Sequence, residues 1–77
     1  MRFEHDKEAD ALYIWLRELP IAFGVDLDHS RHIDYAADQK PVGVELLNVS
    51  KGVNLDDVPE RASVERLLEE HRIRATA

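Results

Sequence analysis

The sequence predicts an α+β fold: an antiparallel β-meander of four to five strands, with one C-terminal helix packed on a face. Three observations carry that prediction. Apolar and polar residues alternate with a period of two in several short runs before residue 48, the pattern of strands with one face turned to a core. Polar and turn-forming residues such as Asp28-His29-Ser30-Arg31 and Asp38-Gln39-Lys40 separate those runs, at lengths common for hairpins. After Asn48 the apolar spacing changes to three and four, the helical period.

Taken in order, Arg2–His5 is a short first strand with Phe3 facing inward, and Asp6–Asp10 is its polar connection. Ala11–Arg17 follows, with Leu12, Ile14 and Leu16 on one face and Tyr13 and Trp15 on the other. Both faces are apolar, so the strand needs cover on both sides: its own core on one, and the C-terminal helix or a second chain on the other. Pro20 ends that run, since proline cannot donate to a ladder. Ile21–Asp28 puts Ile21, Phe23, Val25 and Leu27 inward in a half-buried strand, His32–Ala36 starts the next, and Val42, Val44 and Leu46 mark a last one with Pro41 at its start. Asp56-Asp57-Val58-Pro59-Glu60 combines acidic caps with a first-turn proline, both helix-start signals. Val64, Leu67, Leu68 and His71 then form an apolar stripe. Ser63 is a second candidate N-cap, which divides the helix into Asp57–Ala62 and Val64–Arg72, and the last residues are expected to fray. The expectation is a single domain over 1–77, with the sheet in 1–50 and the helix in 56–73.

A chain of 77 residues buries only about 60% of its unfolded surface, and such domains usually rely on disulfides, a metal or association. With no cysteine, disulfides and thiolate metal sites are excluded. A homodimer or higher homo-oligomer is the expectation. The net charge of -6 is spread along the chain. It argues against direct nucleic-acid binding, which needs clustered Lys and Arg, and it suits a small basic protein as partner. No apolar run approaches the roughly 20 residues that cross a bilayer, so no membrane association is expected. Met1–Asp6 lacks the apolar core of a signal peptide, and a cytoplasmic location is the expectation.

Asp6-x-x-x-Asp10-Ala11-Leu12-Tyr13-Ile14, Ile33-Asp34-Tyr35 and Pro41-Val42-Gly43-Val44-Glu45-Leu46-Leu47 resemble, in order and spacing, the small bacterial family of unknown function DUF2283. The resemblance spans about Phe3 to Ser50. Members typically carry a glycine in the turn before the Val-Gly-Val-Glu piece, where this chain has Gln39, a poor occupant of a positive-φ position. The resemblance implies no catalytic residue. Some members are encoded beside small toxin-like proteins, which implies an antitoxin-like, partner-binding role.

Among candidates for chemistry, His5, His29 and His32 with the carboxylates Asp6, Asp10 and Asp34 make a small metal-binding protein or enzyme the alternative function. No spacing here reproduces an established metal motif, so no metal, cofactor or catalytic residue is assigned. Asp34 and Glu45 lie inside strands and are read as cross-strand polar groups, with Arg31, Lys40 or Arg17 as partners. Gly43, on the side of Glu45, leaves a gap that a neighbouring side chain can enter. Ser30, Ser50 and Ser63 have no nucleophile elbow. Tyr13 and Trp15 are favoured interface anchors, and the candidate interface is Tyr13, Trp15, Leu67 and Leu68. The expected function is non-enzymatic, through protein association.

Overall fold

The computed structural model describes residues 1–76. Five strands form one antiparallel sheet: β1 (Arg2–Asp6), β2 (Ala11–Trp15), β3 (Phe23–Asp28), β4 (Arg31–Tyr35) and β5 (Pro41–Leu47). A 3-10 turn at Val49–Lys51 and the helix α1 (Arg61–Glu70) follow. The α+β reading therefore holds, while the strand order, β1-β2-β5-β4-β3, divides the meander in two. A hairpin, β1-β2, lies beside a three-stranded meander, β3-β4-β5, and the two join where β5 pairs with β2. The connection through Pro20 carries the chain from β2 to the far edge of the sheet.

Register follows the period of two. Phe3, Ile14, Val44, Ile33 and Val25 stand opposite one another in a row across all five strands. With Leu12, Leu46 and the helix residues Val64 and Leu68, the middle of that row forms the core. Leu55 is fully buried and Val58 nearly so, and both reach the core from the irregular segment ahead of α1. Arg31 on β4 ties that segment down by donating to the carbonyls of Asn54 and Asp56.

The helix begins later than expected and is one piece. Asp57 and Glu60 adopt positive φ (63° and 53°), which breaks helical continuity on both sides of Pro59. Ser63 lies inside the helix, its N–H already bonded to the Glu60 carbonyl. His71 is past the end, its ring packed edge-on against Phe3 at 4.2 Å. The C-terminal segment does not fray within the described residues. Val53 N–H donates to the Arg74 carbonyl (2.8 Å) and Thr76 N–H to the Val53 carbonyl (2.7 Å); Ala77 lies outside the described residues.

β3 also departs from its expected burial. Phe23 and Val25 remain 43% and 44% exposed, because the cover over the core reaches the central strands and leaves the β3 edge open. Ile21 precedes the strand and is exposed as well.

Two of the motif carboxylates are explained locally. Asp6 accepts from Ala9 N–H in the β1–β2 turn. Asp10, at φ 55°, accepts from both the N–H and the hydroxyl of Ser50 (2.9 and 2.7 Å), pinning the 3-10 turn to the hairpin.

Candidate functional site: the outer face of the sheet

The face opposite α1 carries two register rows. One runs Arg2, Trp15, Gly43, Asp34, Gly24 and the other Glu4, Tyr13, Glu45, His32, Asp26. Each glycine leaves room for an aromatic ring from the neighbouring row. A Cβ at Gly43 would collide with the Tyr13 ring and hydroxyl, and one at Gly24 with the His32 imidazole. Side chains at those positions would lift both rings off the sheet. The gap beside Glu45 that the sequence offered is thus filled by Tyr13.

Laid flat, the rings complete a chain of hydrogen bonds. The Tyr13 hydroxyl donates to Asp34 Oδ2 at 2.5 Å. His32 Nε2 lies 2.9 Å from Asp34 Oδ1, and His32 Nδ1 lies 2.6 Å from Asp26 Oδ1. Both imidazole nitrogens face carboxylates, and both can donate only when the ring is protonated. The hydrogen bonds that Asp26 and then Asp34 accept from the ring accordingly raise the His32 pKa. Tyr13 is pushed above its ordinary value, first by burial, then by its bond to Asp34. The phenol is a weaker acid than usual, the imidazole takes up a proton more readily than a free one, and each Asp34 oxygen has a hydrogen-bond partner.

Beside this network lies the apolar part of the face. The Tyr13 and Trp15 rings meet at 4.7 Å, and the Arg2 guanidinium lies 4.4 Å above the Trp15 ring, within cation–π range. A cleft of about 320 Å³ opens there, lined by Trp15, Tyr13, Ile21, Glu4, Asp34 and Glu45 among others. That volume is at the small end of the ligand-pocket range.

The residues expected at the interface separate onto the two sides of the sheet. Tyr13 and Trp15 stand together, half-buried, on the outer face. Leu68 is 1% exposed inside the chain's own core and Leu67 packs against it, so Leu68 has no surface left to offer a partner. The histidines diverge. His5 faces the core side of edge strand β1, His29 lies in the β3–β4 turn, and His32 is on the outer face. Among the described residues no group of three or more His, Asp or Glu side chains is placed to hold a metal ion.

Two of the three partners expected for Asp34 and Glu45 are engaged elsewhere, and Lys40 makes no salt bridge among the described residues. Arg31 pairs with Asp28, and Arg17 with Glu60 and the Pro41 carbonyl. The polar partners of Asp34 are instead Tyr13 and His32. The sequence alone does not join Asp26 and His32 to this site as a unit. The signal is nonetheless there, since the period of two puts Asp26, His32 and Asp34 on one side once β3 and β4 are set in register.

The class defined by these features is a small α+β domain whose open sheet face holds aromatics among carboxylates. More particularly, the chain belongs to the family described as a protein of unknown function, DUF2283, whose model matches residues 2–50. The match covers the whole sheet and ends at Ser50, the partner of Asp10; α1 lies beyond it. No curated protein and no solved structure matches the chain.

Proposed function

We propose that this protein is an association domain rather than an enzyme, binding another protein through its outer sheet face in an antitoxin-like role. The observation that carries the reading is the position of Tyr13 and Trp15: the helix packs on the other face, and these two rings remain half-exposed. Aromatics of this kind anchor interfaces because they present large, stiff apolar area with a polar handle. The Tyr13 hydroxyl and both His32 nitrogens already meet carboxylates within the chain, which favours a structural role for this network and so supports the non-catalytic reading. No helix among the described residues is long and apolar enough to cross a membrane.

The test is co-expression with the product of the adjacent gene, expected to be a small basic protein that this chain neutralises. A stable complex is expected with the wild type and with Arg66→Ala on the exposed side of α1. It should be lost with Trp15→Thr, which keeps a strand-favouring residue at that position. A complex indifferent to Trp15→Thr would overturn the assignment of the face.

Self-association is a second reading with its own surface. Edge strand β3 presents exposed Phe23 and Val25 beside unpaired backbone groups, an arrangement that favours strand pairing with a second copy. Light scattering should then give at least twice the one-chain mass of 8.9 kDa, and a one-chain mass at micromolar concentration would remove this reading.

A further inference from the structure

Resting on the reading of the outer face as a binding surface, we propose that its occupant is a basic segment of the partner, with an arginine side chain seated in the cleft beside Trp15. Charge decides between the occupants. The face carries Glu4, Asp6, Asp26, Asp34 and Glu45 against only Arg2 and His32. His32 is already shared by Asp26 and Asp34. Glu4, Asp6 and Glu45 make no salt bridge among the described residues. A second copy docked on this face by a two-fold axis would set carboxylates against carboxylates, and like-charge juxtaposition is strongly unfavourable in a desolvated interface. Nucleic acid is rejected for the same reason.

The shape of the cleft narrows the guest further. Glu4 and Glu45 stand on either side of Tyr13 in the same register row, and Trp15 and Tyr13 supply its apolar walls. A guanidinium matches that combination, because its plane stacks on an aromatic ring while its edge donates to carboxylates. The Trp15 ring already takes this contact from Arg2 at 4.4 Å within the chain. Arg2 therefore shows the ring accepting a guanidinium, and it competes with the guest for that ring.

The experiment is an NMR titration of the full chain with an acetylated, amidated tri-arginine peptide, against a tri-glutamate control. Saturable shifts are expected at the Trp15 indole N–H and the Gly43 and Glu45 amides, weakening with salt, and none with tri-glutamate. The double variant Glu4→Gln/Glu45→Gln should weaken binding about tenfold. Arg2→Ala should tighten it about threefold by removing the competing cation. Shifts absent from this face, or concentrated on the acidic surface of α1, overturn the proposal, as does affinity unchanged in the glutamine variant. A dimer in light scattering that Trp15→Thr dissolves also overturns it, because the occupant is then a second copy. If the natural partner binds through Trp15 but tri-arginine fails, the guanidinium assignment falls and the association reading survives. If tri-arginine binds here while the partner ignores Trp15→Thr, the cleft's preference for a guanidinium survives, and the assignment of this face to the partner falls.

Discussion

Replacing Gly43 with alanine puts the architecture of the outer face under direct test. Alanine in an ordinary strand position is worth about 0.5–1 kcal/mol more than glycine. At Gly43 the added methyl collides with the Tyr13 ring, so the ring has to leave its seat and give up its hydrogen bond to Asp34. A hydrogen bond to a charged acceptor is worth about 1.5–3 kcal/mol. The balance is a net loss of about 1–2 kcal/mol, a fall in Tm of about 5–15 °C for a domain of this size. Urea unfolding followed by Trp15 fluorescence measures it. The informative step is the cycle. With Tyr13→Ala in the background the three atoms nearest the methyl are gone, and Gly43→Ala should become stabilising by about 0.5–1 kcal/mol. A change that costs the same in both backgrounds, or one that stabilises the wild type, would refute the reasoning.

Other consequences are as specific. Gln39 holds φ at 70° in the β4–β5 turn, with its N–H bonded to the Ala36 carbonyl; a left-handed residue with a Cβ costs about 1–2 kcal/mol. Gln39→Gly should therefore stabilise by about 0.5–1 kcal/mol, net of the entropy that glycine loses, and a loss of stability in thermal melts would count against the turn. Asp10→Ala removes both bonds to Ser50 and should cost about 1–2 kcal/mol, with faster hydrogen exchange at the Ser50 amide; unchanged exchange there would deny the clip. For His32 the folded pKa lies above the ordinary 6.5, so its contribution is complete below about pH 6.5 and fades as pH rises through the raised value. The stability difference between wild type and His32→Gln should shrink between pH 6 and 9, and a difference that grows with pH would be the contrary result.

Much of the fold is readable in the sequence because it rests on periodicity. Leu12, Ile14, Val44 and Leu46 alternate cleanly and all are buried. The misplaced features depend on tertiary placement. The helix start fails because Asp57 and Glu60 take positive φ, while Leu55 and Val58 are drawn into the core from non-helical backbone. The order of strands is hidden because nothing local to β2 says that β5 will be its neighbour. The tied C-terminus is hidden for a similar reason: its partner, Val53, is distant in sequence.

The site divides the same way. Tyr13 and Trp15 are legible as apolar residues on the outward side of a strand. Gln39 shows the limit of reading one residue by propensity, since the turn keeps its left-handed position without the glycine. The Asp26–His32–Asp34–Tyr13 chain requires the pairing of β3 with β4, β4 with β5 and β5 with β2. Leu68 falls to the core rather than the interface because a stripe at helical spacing does not say which side of the sheet will receive it.

The central claim, that the outer sheet face is the working surface, is tested most directly by amide-shift mapping of the isotope-labelled chain bound to its partner. The account predicts shifts and protection clustered on Tyr13, Trp15, Gly43 and Glu45, with α1 undisturbed. Shifts clustered on Arg61–Glu70, with the Trp15 indole unmoved, would contradict it.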